Sequence, residues 1–362
     1  MKLHLVQAEH GDCFLLEGRE DGQPRFILVD GGPAGIFPTH LQAVLSSLVT
    51  TTGLAAVMLS HVDDDHIVGL LDLMADLRDP GSALAPLPIG QLLFNSFSRT
   101  IGHNNDVGNR LRSVIREAGL LNVRMPGAEF ALLSVGQGDQ LSRAAQLLDI
   151  PINPTVPNGL ISVESVPAPF DVIGIQFRIV GPTAANLEAL RKSWKAWLTK
   201  RENAIANARP DLLAMSDKSI PNLSSICVLA ESDGRRMLLT GDARGDFLLQ
   251  GLEQANLLDN FGKLHVGLLK VPHHGSDRNV TQKFFERITA DQYVISANGK
   301  HGNPDFPTLT WIVKTAQAQN RPIELIVTNR TPTVDRLIAT HPPAQFGYSL
   351  MVLPPQQSMI TI

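Results

Sequence analysis

Short apolar runs that stop at Gly, Asp, His, Ser or Thr recur along this chain of 362 residues, and they constrain its fold more than any other feature. Each run is too short for a helix and is bounded by turn residues, which is typical of a buried strand. The runs occupy residues 26–29, 55–59, 226–229, 236–239, 266–271, 293–295 and 325–327. Residues capable of chemistry follow several of them, as at the strand ends of layered α/β proteins.

Helical patterns lie between these runs. Residues 67–74 are apolar nearly all round, which predicts a buried helix directly after His66. Residues 187–198 repeat apolar side chains at helical spacing and predict an amphipathic helix. The basic side chains predicted around the rest of that helix are Arg191, Lys192, Lys195, Lys200 and Arg201. Residues 227–240 read as a β-hairpin.

The composition is that of a folded globular protein. The chain is 43% hydrophobic and 18% charged, with 31 basic and 35 acidic residues and a net charge of −4, which excludes disordered and collagen-like chains. The two cysteines, Cys13 and Cys227, lie in apolar contexts, so we expect buried thiols. We predict a single domain over residues 1–362, with a helical insertion or lid over about 81–220, where Pro, Asn and Arg are frequent.

The expected location is the cytoplasm. The first residues contain neither a signal-peptide apolar core nor a cleavage site, and no run approaches the ~20 apolar residues of a membrane span. We therefore expect a soluble protein without a membrane partner. The mild acidity argues against strong non-specific binding to nucleic acid, which requires many Lys and Arg residues, although it leaves room for a local basic groove.

The segment Ser60–His66 carries the strongest chemical signal. Five of the six residues from His61 to His66 are potential metal ligands, between a predicted strand and a predicted helix. So many acids and imidazoles in one turn repel one another unless a cation neutralises them. The alternative is an exposed acidic turn in which Asp64 or Asp65 caps the helix.

Three later segments add polar residues at strand ends. Residues 240–243 place Asp242 after a strand, residues 270–276 contain adjacent histidines, and residues 296–305 form a Gly-rich loop with His301. Each has a plainer interpretation: a simple turn, one buried and one exposed histidine, or a solvated loop. His103 is a further, weaker ligand candidate in the insertion.

Taken in order, these motifs resemble those of the metallo-β-lactamase superfamily, and most closely its ComEC-like branch, related to a DNA-uptake protein. The matching segments are Ser-His-x-Asp-x-Asp-His, Leu-Leu-Thr-Gly-Asp and Val-Pro-His-His-Gly-Ser, within residues 1–80 and 220–350. The resemblance implies an αβ/βα sandwich of two mixed sheets flanked by helices. It also implies a metal-dependent hydrolase.

The resemblance also implies ligand roles for residues at matching positions. His61 and Asp63 would bind one metal ion, Asp65 and His66 the other, and Asp242 would bridge the two. Where the wider superfamily has a histidine, this chain has Asp63, as in the ComEC-like branch. Imidazole and carboxylate ligands without thiolate suit two divalent ions, zinc or manganese.

Further roles follow from the same resemblance. His273 or His274 would complete the ligand set, and Asp30 would support the ligands from outside. Relatives often carry a His-Pro pair where this chain has Asn303 and a proline, so occupancy of the second metal site stays open. His301 could take the place of that histidine or contact the substrate.

The expected chemistry is hydrolysis by a hydroxide bound between two metal ions. Asp65, Asp242 and His274 are the predicted catalytic residues, and Asp242, shared between the ions, could take the proton of the attacking water. Ser276 and Asn303 are predicted to contact the substrate; a hydroxyl and a backbone N–H after the histidine pair could hold a phosphate oxygen.

The resemblance favours a phosphodiesterase or nuclease acting on DNA or another nucleotide. The basic helix over 191–201 could contact phosphates, or it could be a solvated helix packed through its tryptophans. One alternative is a hydrolase of a small ester, such as a phosphorylcholine ester or a lactone. Another is a non-catalytic binding or regulatory module. A nuclease should have an open basic groove, and an esterase a closed apolar pocket.

Overall fold

Two β-sheets stack face to face, with helices on both outer surfaces. The computed structural model describes residues 1–49, 52–96, 99–100, 106–120, 128–207, 224–354 and 358–361. Both sheets contain parallel and antiparallel neighbours. The prediction of a sandwich of two mixed sheets flanked by helices is therefore confirmed.

The first sheet has six strands in the order β14-β1-β2-β3-β4-β5. They are β1 (Lys2–Leu5), β2 (Phe14–Glu20), β3 (Gln23–Val29), β4 (Leu54–Met58), β5 (Leu92–Leu93) and β14 (Ser358–Thr361). Strand β4 runs parallel to β3 and to β5, and the remaining neighbours are antiparallel.

The second sheet has eight strands, in the order β13-β12-β11-β10-β9-β8-β7-β6. They are β6 (Phe170–Val172), β7 (Ile175–Gly181), β8 (Cys227–Ser232), β9 (Arg235–Leu239), β10 (Leu264–Lys270), β11 (Ile288–Ile295), β12 (Ile323–Val327) and β13 (Tyr348–Val352). Strands β9 to β13 are parallel, and β6 to β9 are antiparallel, with hairpins at β6–β7 and at β8–β9.

The α-helices of the described residues connect these strands. They are α1 (Gln42–Leu48), α2 (Asp64–Asp76), α3 (Asp106–Leu120), α4 (Ala128–Leu147), α5 (Ala184–Ala206), α6 (Gly245–Gln254), α7 (Gln282–Arg287), α8 (Phe306–Ala318), α9 (Pro332–Thr340) and α10 (Pro343–Phe346). A π-helical turn covers Phe37–Leu41, and 3₁₀ turns cover Pro157–Gly159 and Pro272–Gly275.

Apolar side chains on both faces of the strands explain why the predicted runs are continuous. On β2, Phe14 and Leu16 enter the core between the sheets, while Leu15 enters the core under α1, α2 and α4. On β10, Leu268 faces the other sheet and Leu269 faces α6 to α9. A strand covered on both faces needs no polar face, so polar and apolar residues do not alternate along these runs.

The seven predicted strands and the hairpin are present. Cys13 and Cys227 are buried thiols, as predicted. The predicted helices correspond to α2 and α5. Residues 81–220 contain α3, α4 and α5, but they also supply β5, β6 and β7 to the two sheets. Among the described helices, none is long and apolar enough to cross a membrane.

One prediction about α5 is wrong. Arg201 was expected among the solvated basic residues of the helix, but its side chain is fully buried. Its guanidinium lies over the ring of Trp197, 5.0 Å from the centroid. A guanidinium is weakly hydrated and stacks on aromatic faces, so burial costs it less than it would cost a lysine.

Candidate metal centre

The chemically capable residues meet at one edge of the sandwich, where strands of both sheets end. Strand β3 leads into Asp30, and β4 leads into the segment 60–66. From the second sheet, β9 leads to Asp242 and β10 to the 3₁₀ turn Pro272–Gly275. Parallel strands place their carboxyl ends at a common edge, so residues distant in sequence become neighbours.

The start of α2 turns its carboxylates in different directions. Asp63 occupies the N-cap position but makes no side-chain cap hydrogen bond, and its Oδ2 lies 3.6 Å from His61 Nε2. Asp64 Oδ1 accepts a hydrogen bond of 2.6 Å from Gln137 on α4. Asp65 faces His66 and His274. Capping of the helix therefore does not account for Asp63 or Asp65.

The histidine pair sits on a strained backbone. His273 and His274 both have left-handed conformations, with φ of 48° and 54°, and Gly275 follows with φ of 83°. Each non-glycine residue in this region costs about 1–3 kcal/mol and persists only where the surroundings hold it. The turn is held by backbone bonds from His273 N to Gly241 O and from Asp305 N to Gly275 O. It presents both imidazoles to Asp242.

One carboxylate oxygen of Asp242 faces a first group of ligand candidates. Asp242 Oδ2 lies 3.6 Å from His61 Nε2 and 3.7 Å from His273 Nε2. The third candidate in this group is Asp63, whose Oδ2 is 3.6 Å from His61 Nε2. Ligand atoms bound tetrahedrally at ~2.0–2.1 Å from zinc stand about 3.3–3.5 Å apart, so each of these three pairs is close to the spacing of two ligands on one ion.

The other oxygen of Asp242 faces a second group. Asp242 Oδ1 lies 3.4 Å from His66 Nε2 and 3.4 Å from His274 Nε2. Asp65 completes this group, with its carboxylate 3.8 Å from His66 Nε2 and 3.4 Å from His274 Nε2. The two groups share Asp242 and use different oxygens of it. The sequence left His273 and His274 as alternatives, whereas in the structure they belong to different groups.

Hydrogen bonds hold three of these imidazoles by their Nδ1 atoms. His66 Nδ1 is 2.9 Å from Asp30 Oδ2, and His274 Nδ1 is 2.8 Å from Ser296 O. His61 Nδ1 is 3.0 Å from Ser60 Oγ. A metal-binding histidine commonly uses its second nitrogen in this way, which fixes the ring and its tautomer.

The opposite nitrogens of the same imidazoles are buried without a hydrogen-bond partner. This is true of Nε2 of His61, His66 and His274, and also of Asp242 Oδ1. Buried polar atoms without partners are rare in native proteins because they forfeit their hydration. The lone pairs of His66 and His274 beside Asp242 Oδ1 fit a divalent cation, and the unpartnered Nε2 of His61 lies beside the other oxygen of the same carboxylate. Among the described residues, two sets bring one ligand atom from each member within 4.8 Å of the others and could hold metal: Asp12, His66, Asp242 and His274, and His61, Asp65 and His66.

The pKa values show how strongly this cluster attracts positive charge. Burial alone would lower the pKa of His66, yet Asp242, Asp30 and Asp65 raise it well above its ordinary value. Burial is likewise overcome at His274, where Asp242 and Asp12 raise the pKa to about 10. Without a metal ion, the carboxylates favour protonation of His66 and His274. A divalent cation bound here would supply that positive charge instead.

The carboxylates respond in the opposite direction. Burial would raise the pKa of Asp242, but the imidazoles of His274, His273 and His66 hold it well below its ordinary value. The pKa of Asp65 is lowered too, since His66 and a hydrogen bond with His274 outweigh burial. Both carboxylates are therefore ionised at neutral pH and available as metal ligands or proton acceptors.

The sequence analysis missed two residues of the centre, Asp12 and Lys270. The Lys270 ammonium is ion-paired with the Asp12 carboxylate, and both side chains are 1% exposed. Asp12 Oδ1 lies 3.5 Å from His274 Nδ1, and Asp12 belongs to the candidate metal set with His66, Asp242 and His274. A lysine inside an otherwise apolar strand run was a signal for Lys270, but no sequence pattern identified Asp12 as its partner.

The remaining predicted residues lie at the margin. Asn303 Nδ2 donates to His273 O at 3.4 Å, and Ser276 N donates to the same carbonyl, so both residues support the histidine turn. Asp30 accepts bonds from Ser60 N and Oγ at 2.7 and 2.8 Å. The exposed His301 belongs to neither group, and its ring lies against His10. His103 lies outside the described residues.

The centre opens to solvent on one side. Asp63 and His273 expose about a third of their side chains (32% and 34%), and Asp65 exposes 23%, whereas His61, His66 and Asp242 are buried. A substrate can thus approach from the side of these three residues. The basic helix α5 is partly engaged elsewhere, since Arg191 Nε donates to Thr100 O at 2.7 Å.

Comparisons with known proteins gave matches of low similarity, and only to solved structures. No protein-family model and no curated protein matches the chain. A β-lactamase domain protein from Burkholderia ambifaria is 12% identical, over 67% of this chain and 56% of its own length, with a TM-score of 0.32. This chain therefore spans just over half of that protein. A motif mutant of the metallo-β-lactamase of Cronobacter sakazakii is 9% identical, over 88% and 91%, with a TM-score of 0.31.

Proposed function

We propose that this protein is a metal-dependent hydrolase that cleaves phosphodiesters at a centre of two divalent ions. One observation carries the proposal: the two oxygens of the buried Asp242 carboxylate face two separate groups of imidazole nitrogens, at 3.4 to 3.7 Å. A carboxylate flanked in this way is suited to bridge a pair of cations. The opening toward solvent supports a hydrolytic role, because water and substrate can reach the centre.

Each ion would have its own set of ligands. The first set is His61, Asp63, His273 and Asp242, and the second is Asp65, His66, His274 and Asp242. Nitrogen and oxygen donors without thiolate suit zinc or manganese. Divalent ions bound there would supply Lewis acidity toward a phosphoryl oxygen and a hydroxide nucleophile near neutral pH.

The protein contributes preorganisation and proton handling. Asp30 and the carbonyl of Ser296 orient the imidazoles of His66 and His274 before any ligand arrives. Asp65 is ionised at neutral pH and faces the open side, so it is positioned to accept a proton from an incoming water. Asp242 is equally ionised but buried, which favours a bridging role over proton shuttling.

The phosphodiester class rests on two supports. The motifs resemble those of the ComEC-like branch, whose namesake handles DNA. The second support is Lys300, whose exposed ammonium lies 3.2 Å from Nε2 of His10, a residue on which the charge of Asp65 also acts. A phosphodiester is an anion, and a cation next to the centre favours it over a neutral lactone.

Turnover by the metal-loaded protein tests the proposal. The substrates are bis-p-nitrophenyl phosphate, single-stranded and duplex DNA, cyclic nucleotides and a lactone, each with Zn²⁺ or Mn²⁺. We expect hydrolysis of at least one phosphodiester, lowered more than ~100-fold by Asp242→Asn. Asp233→Asn is the matched control, because Asp233 lies in the turn at the other end of the same β8–β9 hairpin.

Three other outcomes would each contradict a different part of the proposal. Turnover of the lactone alone would assign an esterase. Metal binding without any turnover would indicate a binding module. Full activity of Asp242→Asn on a phosphodiester would remove the bridging carboxylate from the mechanism.

A further inference from the structure

We infer that His10, Lys300 and His301 form a phosphate-binding rim on the open side of the metal centre, which holds a second phosphate of the substrate beside the reacting one. This inference deepens the proposed function, on which it rests for the identity of the reacting group. The three residues belong to two loops, residues 6–13 after β1 and residues 296–305 after β11. We call these three side chains the rim.

The first of these loops is pressed against the centre. A Cβ atom on Gly11 would stand 2.0 Å from the backbone oxygen of Asp65, so only glycine permits this approach. Asp12 N donates to the same oxygen at 3.2 Å. His10, the preceding residue, is partly exposed and lies close enough to Asp65 for the charge of that carboxylate to act on the imidazole.

His10 contacts both other side chains of the rim. Lys300 Nζ lies 3.2 Å from His10 Nε2, and the rings of His10 and His301 meet edge to face with centroids 5.4 Å apart. Lysine can only donate, so His10 Nε2 accepts and the imidazole proton lies on Nδ1. The rim therefore presents one permanent positive charge and imidazole N–H groups.

The chemistry of the rim selects an anion over a metal ion. The acceptor nitrogen of His10 is occupied by Lys300, whose ammonium would repel a cation. Burial and Lys300 lower the pKa of His10, against the opposing effect of Asp65, so His10 is a neutral donor at physiological pH. His301 and His274 are the other titratable groups that face it. An ammonium with neighbouring N–H donors matches the oxygens of a phosphate.

Hydrogen bonds between the two loops hold the rim in place. Asn298 Nδ2 donates a hydrogen bond of 2.9 Å to Glu9 Oε2. The carboxylate that precedes His10 in the chain is therefore hydrogen-bonded to the second loop. Ser296 Oγ donates to Gly11 O, and Asn329 Nδ2 bonds to the carbonyls of Glu9 and Ala297. Glu9 itself has a left-handed φ of 55°. Such a fixed arrangement binds a ligand with little ordering cost.

The test compares thymidine dinucleotides without a terminal phosphate and with one at the 5′ or 3′ end. For Lys300→Met we expect the KM of one phosphorylated dinucleotide to rise about tenfold, from loss of a charge-assisted bond, with kcat within about twofold. The KM of the unphosphorylated dinucleotide should rise less, because Lys300 acts on the reacting phosphodiester only through its long-range charge. Lys263→Met is the control, since Lys263 is exposed and precedes β10 at the end opposite Lys270.

Calorimetric binding of the same dinucleotides separates this inference from the proposed function. If wild-type protein cleaves no phosphodiester but Lys300→Met weakens binding of a phosphorylated dinucleotide about tenfold, the rim stands and the proposed function fails. If wild-type protein cleaves phosphodiesters and Lys300→Met changes neither KM nor Kd, the rim is wrong. An equal loss of kcat on all three dinucleotides would also overturn it.

Discussion

Lys270 lies between two carboxylates at the base of the metal centre, ion-paired with Asp12 and with its Nζ 3.8 Å from Asp242 Oδ1. Lys270 Nζ also donates a hydrogen bond of 3.1 Å to the carbonyl oxygen of Gly241, the residue before Asp242. Burial would lower the pKa of Lys270, but Asp12 and Asp242 raise it, so the group is a fixed cation. This cation links β10 to the loop after β1 and holds both carboxylates in place.

Removing this cation should destabilise the protein. Lys270→Met leaves the buried Asp12 carboxylate without its counter-ion, which typically costs about 3–5 kcal/mol of unfolding free energy. The double variant Lys270→Met/Asp12→Asn removes both charges and should recover part of the loss. Urea unfolding of the metal-free variants measures both values, with Lys263→Met as a surface control. An unchanged midpoint for Lys270→Met would contradict the assignment.

Single substitutions in the two groups should each remove one ion. We expect His273→Gln and His274→Gln to lower the bound metal from about two ions to about one, and Asp242→Asn to weaken both sites. Elemental analysis after dialysis gives the stoichiometry.

Asp64 is the internal control for this experiment, because its carboxylate bonds to Gln137 and not to the cluster. Asp64→Ala should keep the full metal content, whereas Asp63→Asn and Asp65→Asn should not. Equal losses of metal for all three aspartates would mean that Asp64 contributes to metal binding as much as Asp63 and Asp65 do.

Metal binding should release protons at mildly alkaline pH. The pKa of His274 is raised to about 10, so its imidazole is protonated at pH 8 in the metal-free protein, and the pKa of His66 is raised as well. Ligation requires the neutral form, and we expect on the order of one proton or more released at that pH. Calorimetry in buffers of different ionisation enthalpy counts them. Identical heats in all buffers would contradict this.

The same raised pKa values set the pH dependence of the metal-free fold. Protonated His66 and His274 stabilise the folded state fully below their unfolded pKa of about 6.5. That stabilisation is lost as the pH rises through the folded value, about 10 for His274. The unfolding free energy of the metal-free protein should therefore fall between about pH 6.5 and 10, while its apparent metal affinity rises. A flat denaturation midpoint over this range would be inconsistent with the shifts.

Two glycines should respond oppositely to alanine. Gly11→Ala would drive a methyl group into the Asp65 carbonyl, so we expect a loss of at least ~2 kcal/mol and weaker metal binding. Gly136 lies within α4 with nothing within 4 Å of an added Cβ, and Gly136→Ala should stabilise by about 0.5–1 kcal/mol. Thermal unfolding with and without metal distinguishes the two effects. Similar changes for both variants would show that Gly11 is not tightly packed.

The sequence predicted the layered fold because its strands are buried on both faces and end in turn residues. It also identified the segment 61–66, Asp242 and the histidine pair, since imidazoles and carboxylates at strand ends have no structural use that explains all of them. The cost of the left-handed turn at His273 and His274 is visible only in the structure.

The pairing of Asp12 with Lys270 could not be predicted, because it joins residues whose proximity depends on how the two sheets stack. The same holds for the rim, whose loops are far apart in sequence and meet only across the sandwich edge. The prediction for Arg201 was wrong because a helical pattern assigns charged residues to the solvent-facing side. The packing of its guanidinium against Trp197 is a tertiary contact that the pattern does not contain.

Anomalous diffraction from crystals grown with zinc tests the central claim most directly. We predict two zinc peaks about 3.5–4 Å apart, one on each side of the Asp242 carboxylate, with His61 and His273 next to one and His66 and His274 next to the other. A lone peak elsewhere in the molecule, or none within bonding distance of Asp242, would contradict it.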